Sequence, residues 1–198
     1  MATRRSLRLV ALLGFCAGLV LASAMPARGQ SDREDAARIV AALAFGPGST
    51  VGEIGAGSGA LTVAVAREVG PSGRVYSNEL NPRQREATER AVKTAALSNV
   101  TVVEGHAADT NLPTGCCDAL FMRDVFHHFD DPLATSRSLL ATLAPGGRLG
   151  VLDFAPRNGH GMAEAEVRQT LERAGFAPVR LEASGPRWYL VVAVKPAS

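Results

Sequence analysis

The chain has 198 residues, 46% hydrophobic and 20% charged. That length suits one domain, and that composition excludes a largely disordered chain. The formal charge is only +2, and three early arginines (Arg4, Arg5 and Arg8) more than account for it. Nothing in the charge balance points to nucleic acid as a partner.

Those arginines open a segment different in kind from the rest. Residues 9–21 are apolar throughout, and Ala22-Ser23-Ala24 is an A-x-A site. A basic start, a short apolar run and a small-residue cleavage site read as a signal peptide over residues 1–24, or as far as 30. The run is short for a membrane-spanning helix, which needs about 20 residues. An uncleaved membrane anchor is the competing reading. Residues 3–8 also resemble a twin-arginine export signal. The mature chain is then expected in the periplasm or outside the cell, with a charge of −1 once the three arginines are gone.

The rest, residues 31–198, reads as one domain. Ser31-Asp32-Arg33-Glu34 has the pattern of a capping box. Ala36, Ile39, Val40 and Leu43 follow at helical spacing, and Gly46-Pro47-Gly48 marks a stop. A strand is expected over 50–54. It leads into Gly55-Ala56-Gly57-Ser58-Gly59-Ala60 and a helix to about Val69. Gly takes φ > 0 at no steric cost and lets backbone N–H groups approach a ligand at a helix start. Glu53, two residues before the loop, is not what a purely phosphate-binding turn needs. It favours a ligand carrying positive charge.

A second strand over 74–79 closes on Glu79. Asn81-Pro82 starts a polar helix that runs to Ala95 or Ala96. Residues 99–105 read as a third strand and 118–123 as a fourth, with a loop between. Cys116 and Cys117 stand at the entrance of the fourth. Adjacent cysteines bond each other only with strain and lack metal spacing. They read as small buried hydrophobes, in a fold independent of disulfides. Phe126-His127-His128-Phe129 is irregular or helical. A helix follows Asp131-Pro132, with Leu133, Leu140 and Leu143 on it, and Ala144-Pro145-Gly146-Gly147 ends it. The fifth strand covers 148–154. A helix carrying Val167, Leu171 and Ala174 stops at Gly175, and strands over 178–182 and 188–195 close the chain.

Alternating strands and helices imply a parallel sheet covered on both faces. Ligands of such sheets bind at the carboxyl ends of the strands. The glycine loop, Glu79, His106 to Asp109, Arg123-Asp124 and Asp153-Phe154 all fall there. The loop fits the dinucleotide fingerprint G-x-G-x-x-G/A, and Glu79 has the spacing of a ribose-binding acid. That pattern serves nicotinamide nucleotides as well as S-adenosylmethionine, so a nicotinamide-type oxidoreductase stays open on the loop alone.

Taken together, Glu53 to Gly59, the stretch Tyr76-Ser77-Asn78-Glu79-Leu80-Asn81-Pro82, the run from Asp124 to Pro132, Pro145-Gly146-Gly147 and Ala174-Gly175-Phe176 resemble a class I S-adenosylmethionine-dependent methyltransferase. The resemblance is strongest to small bacterial methyltransferases with export signals, and it runs from about residue 35 to 194. It implies an α/β, Rossmann-like doubly wound sheet of seven strands, the last antiparallel and inserted between the fifth and sixth. It implies S-adenosylmethionine as cofactor. Gly55, Ala56, Gly57 and Gly59 would pack on its methionine part, with Glu53 organising the amino-acid end. Glu79 would hold the ribose and Leu80 would lie against the adenine. His106 and Ala107 would meet the other adenine face, with Arg123 nearby. Many relatives carry an acid where this chain has His106; two substitutes are open, Asp109 or a neutral His106 accepting the adenine amino hydrogen.

Methyl transfer requires alignment more than acid–base chemistry. Arg123, Asp124 and His128 are the candidates for a catalytic role. The pair His127-His128 otherwise reads as support for its loop, and His160 as a second group on the substrate side. Asp124 and Asp153 are too few for an oxygen-rich metal site, so no metal is expected. Trp188 and Tyr189 read as core. The acceptor is expected to be a small or lipid-like molecule, at or near a membrane. A non-catalytic exported module binding an adenosyl ligand is the alternative in a different class.

Overall fold

The structure is a computed structural model and describes residues 28–197. The stretch read as a signal peptide, residues 1–24, lies outside the described residues. Five helices alternate with seven strands: α1 (Arg28–Leu43), β1 (Thr50–Ile54), α2 (Ala60–Val69), β2 (Arg74–Glu79), α3 (Pro82–Thr94), β3 (Val100–Glu104), β4 (Cys117–Arg123), α4 (Pro132–Thr142), β5 (Leu143–Phe154), α5 (Glu164–Ala174), β6 (Val179–Ser184) and β7 (Trp188–Val194). A single 3-10 turn, Phe126–His128, sits between β4 and α4. No described helix is long and apolar enough to cross a membrane.

The sheet order is β3-β2-β1-β4-β5-β7-β6. β1 to β5 are parallel, and β7 runs antiparallel to both β5 and β6. This is the expected doubly wound, seven-stranded arrangement. Period-two alternation divides the core between its faces. Ala119 and Phe121 of β4 and Leu190 and Val192 of β7 join Ile39, Leu43, Leu61 and Val65 on the α1/α2 side. Leu120 and Met122, with Val191 and Ala193, join Leu139, Leu171 and Phe176 on the α4/α5 side. Both faces of the central strands are therefore apolar, which is why they read as continuous hydrophobic runs.

Three local expectations are corrected. Ser31 does not begin a helix, because α1 already includes Arg28. Asp32 instead reaches across to Arg123, Oδ1 to Nη1 at 2.7 Å. Pro145-Gly146-Gly147 does not separate α4 from β5. The strand starts at Leu143 and passes through these residues on an irregular register, Cys117 facing Leu143 and Ala119 facing Arg148. Its outer edge is kept paired by Lys195, just past β7, since Gly146 N–H donates to Lys195 O (3.0 Å) and Lys195 N–H to Gly147 O (2.9 Å). Finally, Cys116 and Cys117 are joined as a disulfide. Cys117 is also fully buried, so the expected packing role holds while the unbonded state does not.

Candidate functional site

The carboxyl ends of β1, β2 and β4 converge on the glycine loop. Gly55, Gly57 and Gly59 have φ of 75°, 58° and 79°, a region that L side chains rarely enter. Their reasons differ. A Cβ on Gly55 would lie 2.5 Å from Val125 Cγ2, and one on Gly59 would lie 2.8 Å from Thr88 Cα. Those two glycines permit close packing. A Cβ on Gly57 would meet nothing nearer than Gln84 Oε1 at 3.9 Å. Gly57 faces open space, as a residue over which a ligand passes should.

Two acids flank the loop. Glu79 is 6% exposed and spans it: Gly57 N–H donates to Oε2 and Asn81 N–H to Oε1, each at 2.8 Å. Each carboxylate oxygen keeps further acceptor capacity for a ribose hydroxyl. Glu53 is 2% exposed and accepts from the hydroxyls of Thr62 and Ser77, the latter at 3.1 Å. Burial pushes its carboxyl up to about 7; the Thr62 and Ser77 hydrogen bonds and the Arg123 charge pull it partly back. An acid in that state gains from a cationic neighbour.

Two adjoining clefts open here. One, about 370 Å³, is lined by Glu53, Gly55, Ala56, Gly57, Arg83 and Gln84 among others. The other, about 550 Å³, runs past Glu79, Leu80, His106, Ala107, His128 and Phe129. Gly55, Gly57, Gln84, Arg123 and Asp124 border both. Leu80 is 58% exposed, a large apolar side chain left in solvent at the rim. It offers a plate for a flat base. His106 lines the wider cleft, but Asp109 does not, because Asn111 N–H (2.8 Å) and the Ser138 hydroxyl (3.3 Å) hold its Oδ1. Of the two substitutes for the missing acid, only His106 is in place. A carboxylate for ribose, an apolar plate, an open glycine and a buried acid together fit S-adenosylmethionine.

The candidate catalytic residues separate by environment. Arg123 is tied to α1 by Asp32 and by Asp35 Oδ2 at 3.0 Å. Asp124 borders both clefts in a left-handed backbone conformation (φ 58°). Lost hydration and then the Asp153 charge hold its carboxyl above the usual range. His128 is exposed in the wider cleft. His127 is not available in the same way. Its Nδ1 lies 2.8 Å from Oδ1 of fully buried Asp153, and its N–H donates to Oδ2 at 3.3 Å. Phe154 N–H adds a third bond to Asp153, at 2.8 Å. His127 and Asp153 thus secure the turn after β4. His160 pairs with Arg157 in the loop after β5 and does not line either cleft. Tyr189 is core and Trp188 is partly buried. Among the described residues no group of three His, Cys, Asp or Glu side chains could hold a metal.

Gln84, Val125 and Phe129 also line the site and were not singled out in the sequence. Gln84 sits one turn inside α3, so the N-cap at Asn81, three residues earlier, was the available signal. Nothing in the sequence linked α1 to Arg123, 88 residues on from Asp35.

Comparison with known proteins agrees with this geometry. Residues 52–151 match the methyltransferase domain family. A rice (Oryza sativa subsp. japonica) 2-methyl-6-phytyl-1,4-hydroquinone methyltransferase is 27% identical over 69% of this chain and 41% of its own length. The ubiquinone/menaquinone biosynthesis C-methyltransferase UbiE of Ectopseudomonas mendocina is 34% identical over 55% of this chain and 43% of its own length. The chain thus spans less than half of either relative. The crystal structure of a SAM-dependent methyltransferase from Aquifex aeolicus superposes with a TM-score of 0.77 at 24% identity, over 85% of this chain and 94% of that one. With the seven-stranded sheet, the open glycine loop and its two flanking acids, the chain belongs to the methyltransferase domain family, with a class I fold and a site for S-adenosylmethionine.

Proposed function

We propose that the protein methylates a small lipophilic acceptor of the hydroquinone or phenol type. The observation that carries this is the wall of the wider cleft. Val125 and Phe129 supply apolar surface directly beside Asp124 and His128, at the end of β4 next to the glycine loop. An apolar ring could lie on that wall with its hydroxyl toward the two polar groups. The similarity to hydroquinone and quinone methyltransferases supports the same class of acceptor.

S-adenosylmethionine supplies the activated methyl group on its sulfonium sulfur. The chain's own residues bind, orient and exclude water. His128, exposed in the cleft, is the group suited to take the proton of an acceptor hydroxyl, with His127 fixed behind it by Asp153 and the two rings 3.9 Å apart. Arg4, Arg5, Arg8, the apolar run after them and Ala22-Ser23-Ala24 support the further reading that the chain is exported. Mass spectrometry of the mature N-terminus tests that point.

The function is tested with methyl-labelled S-adenosylmethionine and detergent-solubilised demethylated quinols, simple phenols and phosphoethanolamine as acceptors. Label should appear in the quinols or phenols. Transfer to phosphoethanolamine alone, or to none while S-adenosylhomocysteine still binds, would defeat the proposal.

A further inference from the structure

Arg123 ends β4 and borders both clefts. Its Nη1 is occupied by Asp32 and Asp35, at 2.7 and 3.0 Å. Asp35 is held in turn by Arg38 at 2.7 Å, and the Arg38 guanidinium lies 4.3 Å over the Trp188 ring. A chain of contacts therefore runs from β4 through α1 to β7. It is not a loose surface pair, since Asp32 is 6% exposed. Asp32 and Asp35 also lie outside the family match over residues 52–151. The device belongs to this chain's N-terminal helix.

A guanidinium has five donors in a planar fork. Among the described residues, Nε and Nη2 of Arg123 have no hydrogen-bond acceptor. Those two nitrogens form one of the edges that can grip a carboxylate with two parallel hydrogen bonds. Glu53 shares a cleft wall with Arg123 and feels its charge. A buried carboxylate and a guanidinium edge in one cleft match the two ends of an α-amino acid. The four charges Asp32, Asp35, Arg38 and Arg123 cancel, so the grip depends on direction more than on net field.

We propose that Arg123 clamps the α-carboxylate of the cofactor's methionine part, and that Asp32 and Asp35 are positioning residues that aim its free edge into the cleft. Through them α1 completes the amino-acid end of the cofactor site. This rests on the cofactor assignment and not on the acceptor.

Calorimetry of the purified protein with three ligands tests it. S-adenosylhomocysteine carries the amino-acid group, its decarboxylated analogue lacks only the carboxylate, and 5′-methylthioadenosine lacks the whole group. Arg123→Gln should weaken S-adenosylhomocysteine at least tenfold and leave the other two within about twofold. Asp32→Asn with Asp35→Asn should repeat the pattern with a loss of about fivefold, and Arg123→Lys should recover part of it. Equal losses on all three ligands would mean a merely structural role and would overturn the proposal. Unchanged S-adenosylhomocysteine affinity in Arg123→Gln would overturn it as well. A wild-type protein that binds none of the three would instead refute the cofactor assignment.

Discussion

Replacing Glu53 with Gln should flatten the dependence of stability on pH. Glu53 is buried, and its carboxyl rises from the ordinary 4.5 to about 7, chiefly through burial. Between those values the folded protein keeps a proton that the unfolded chain has released. Stability is therefore highest below pH 4.5 as far as this group is concerned, and it falls as pH rises toward 7. At about 1.4 kcal/mol per pH unit the whole window is worth ~3 kcal/mol. That is a large share of an ordinary domain's stability of about 5–15 kcal/mol. Gln keeps an oxygen to accept from Thr62 and Ser77, so Glu53→Gln removes the titration while sparing those bonds. Urea unfolding at pH 5, 6, 7 and 8 measures the difference. Wild type should lose about 2.5 kcal/mol more than Glu53→Gln between pH 5 and 8, the rest of the loss falling below pH 5. Parallel curves for the two proteins would refute the reasoning, because Glu53 would then be titrating alike in both states.

The other expectations follow from the same geometry. Gly55→Ala should destabilise the fold by about 2 kcal/mol or more, seen as a lower Tm, because its Cβ meets Val125 at 2.5 Å in a strained conformation. Gly57→Ala should cost only about 1 kcal/mol of stability yet weaken S-adenosylhomocysteine more than tenfold in calorimetry, since its methyl group enters the cleft. Leu80→Ser should leave stability within about 0.5 kcal/mol and lower the affinity for 5′-methylthioadenosine, which has the adenine but no amino-acid group. Asp153→Asn should cost about 2 kcal/mol in urea unfolding, because one of its oxygens becomes an N–H donor facing the N–H groups of His127 or Phe154. His128→Ala, on an exposed side chain, should leave Tm unchanged and lower kcat only for hydroxyl acceptors.

Much of the sheet was legible because its signals are local. Gly-Pro-Gly, Asn81-Pro82 and Asp131-Pro132 mark boundaries where only certain residues fit, and the structure puts N-caps at Asn81 and Asp131. The misjudged places depend on distant partners. Pro145-Gly146-Gly147 looks like a break until Lys195, just past β7 and over 40 residues later, hydrogen-bonds to its backbone. Asp32 looks like part of a cap until Arg123 is brought beside it. In the site, glycines and acids could be placed from spacing, since the loop joins two elements of fixed geometry. Which of His127 and His128 faces the cleft could not, because a 3-10 turn has no pattern that separates neighbours in advance.

The strand order also governs when this protein can fold at all. β7 lies between β5 and β6, and Leu190, Val191, Val192 and Ala193 are wholly enclosed. Yet it is the last strand to leave the ribosome. Until residues 188–194 emerge, β5 has a bare edge, β6 has no neighbour in the sheet, and the apolar faces of α1 and α5 lack part of what they cover. The core therefore cannot close before this strand is made. A chain cut short before Trp188 would keep that edge of β5 bare and be open to proteolysis.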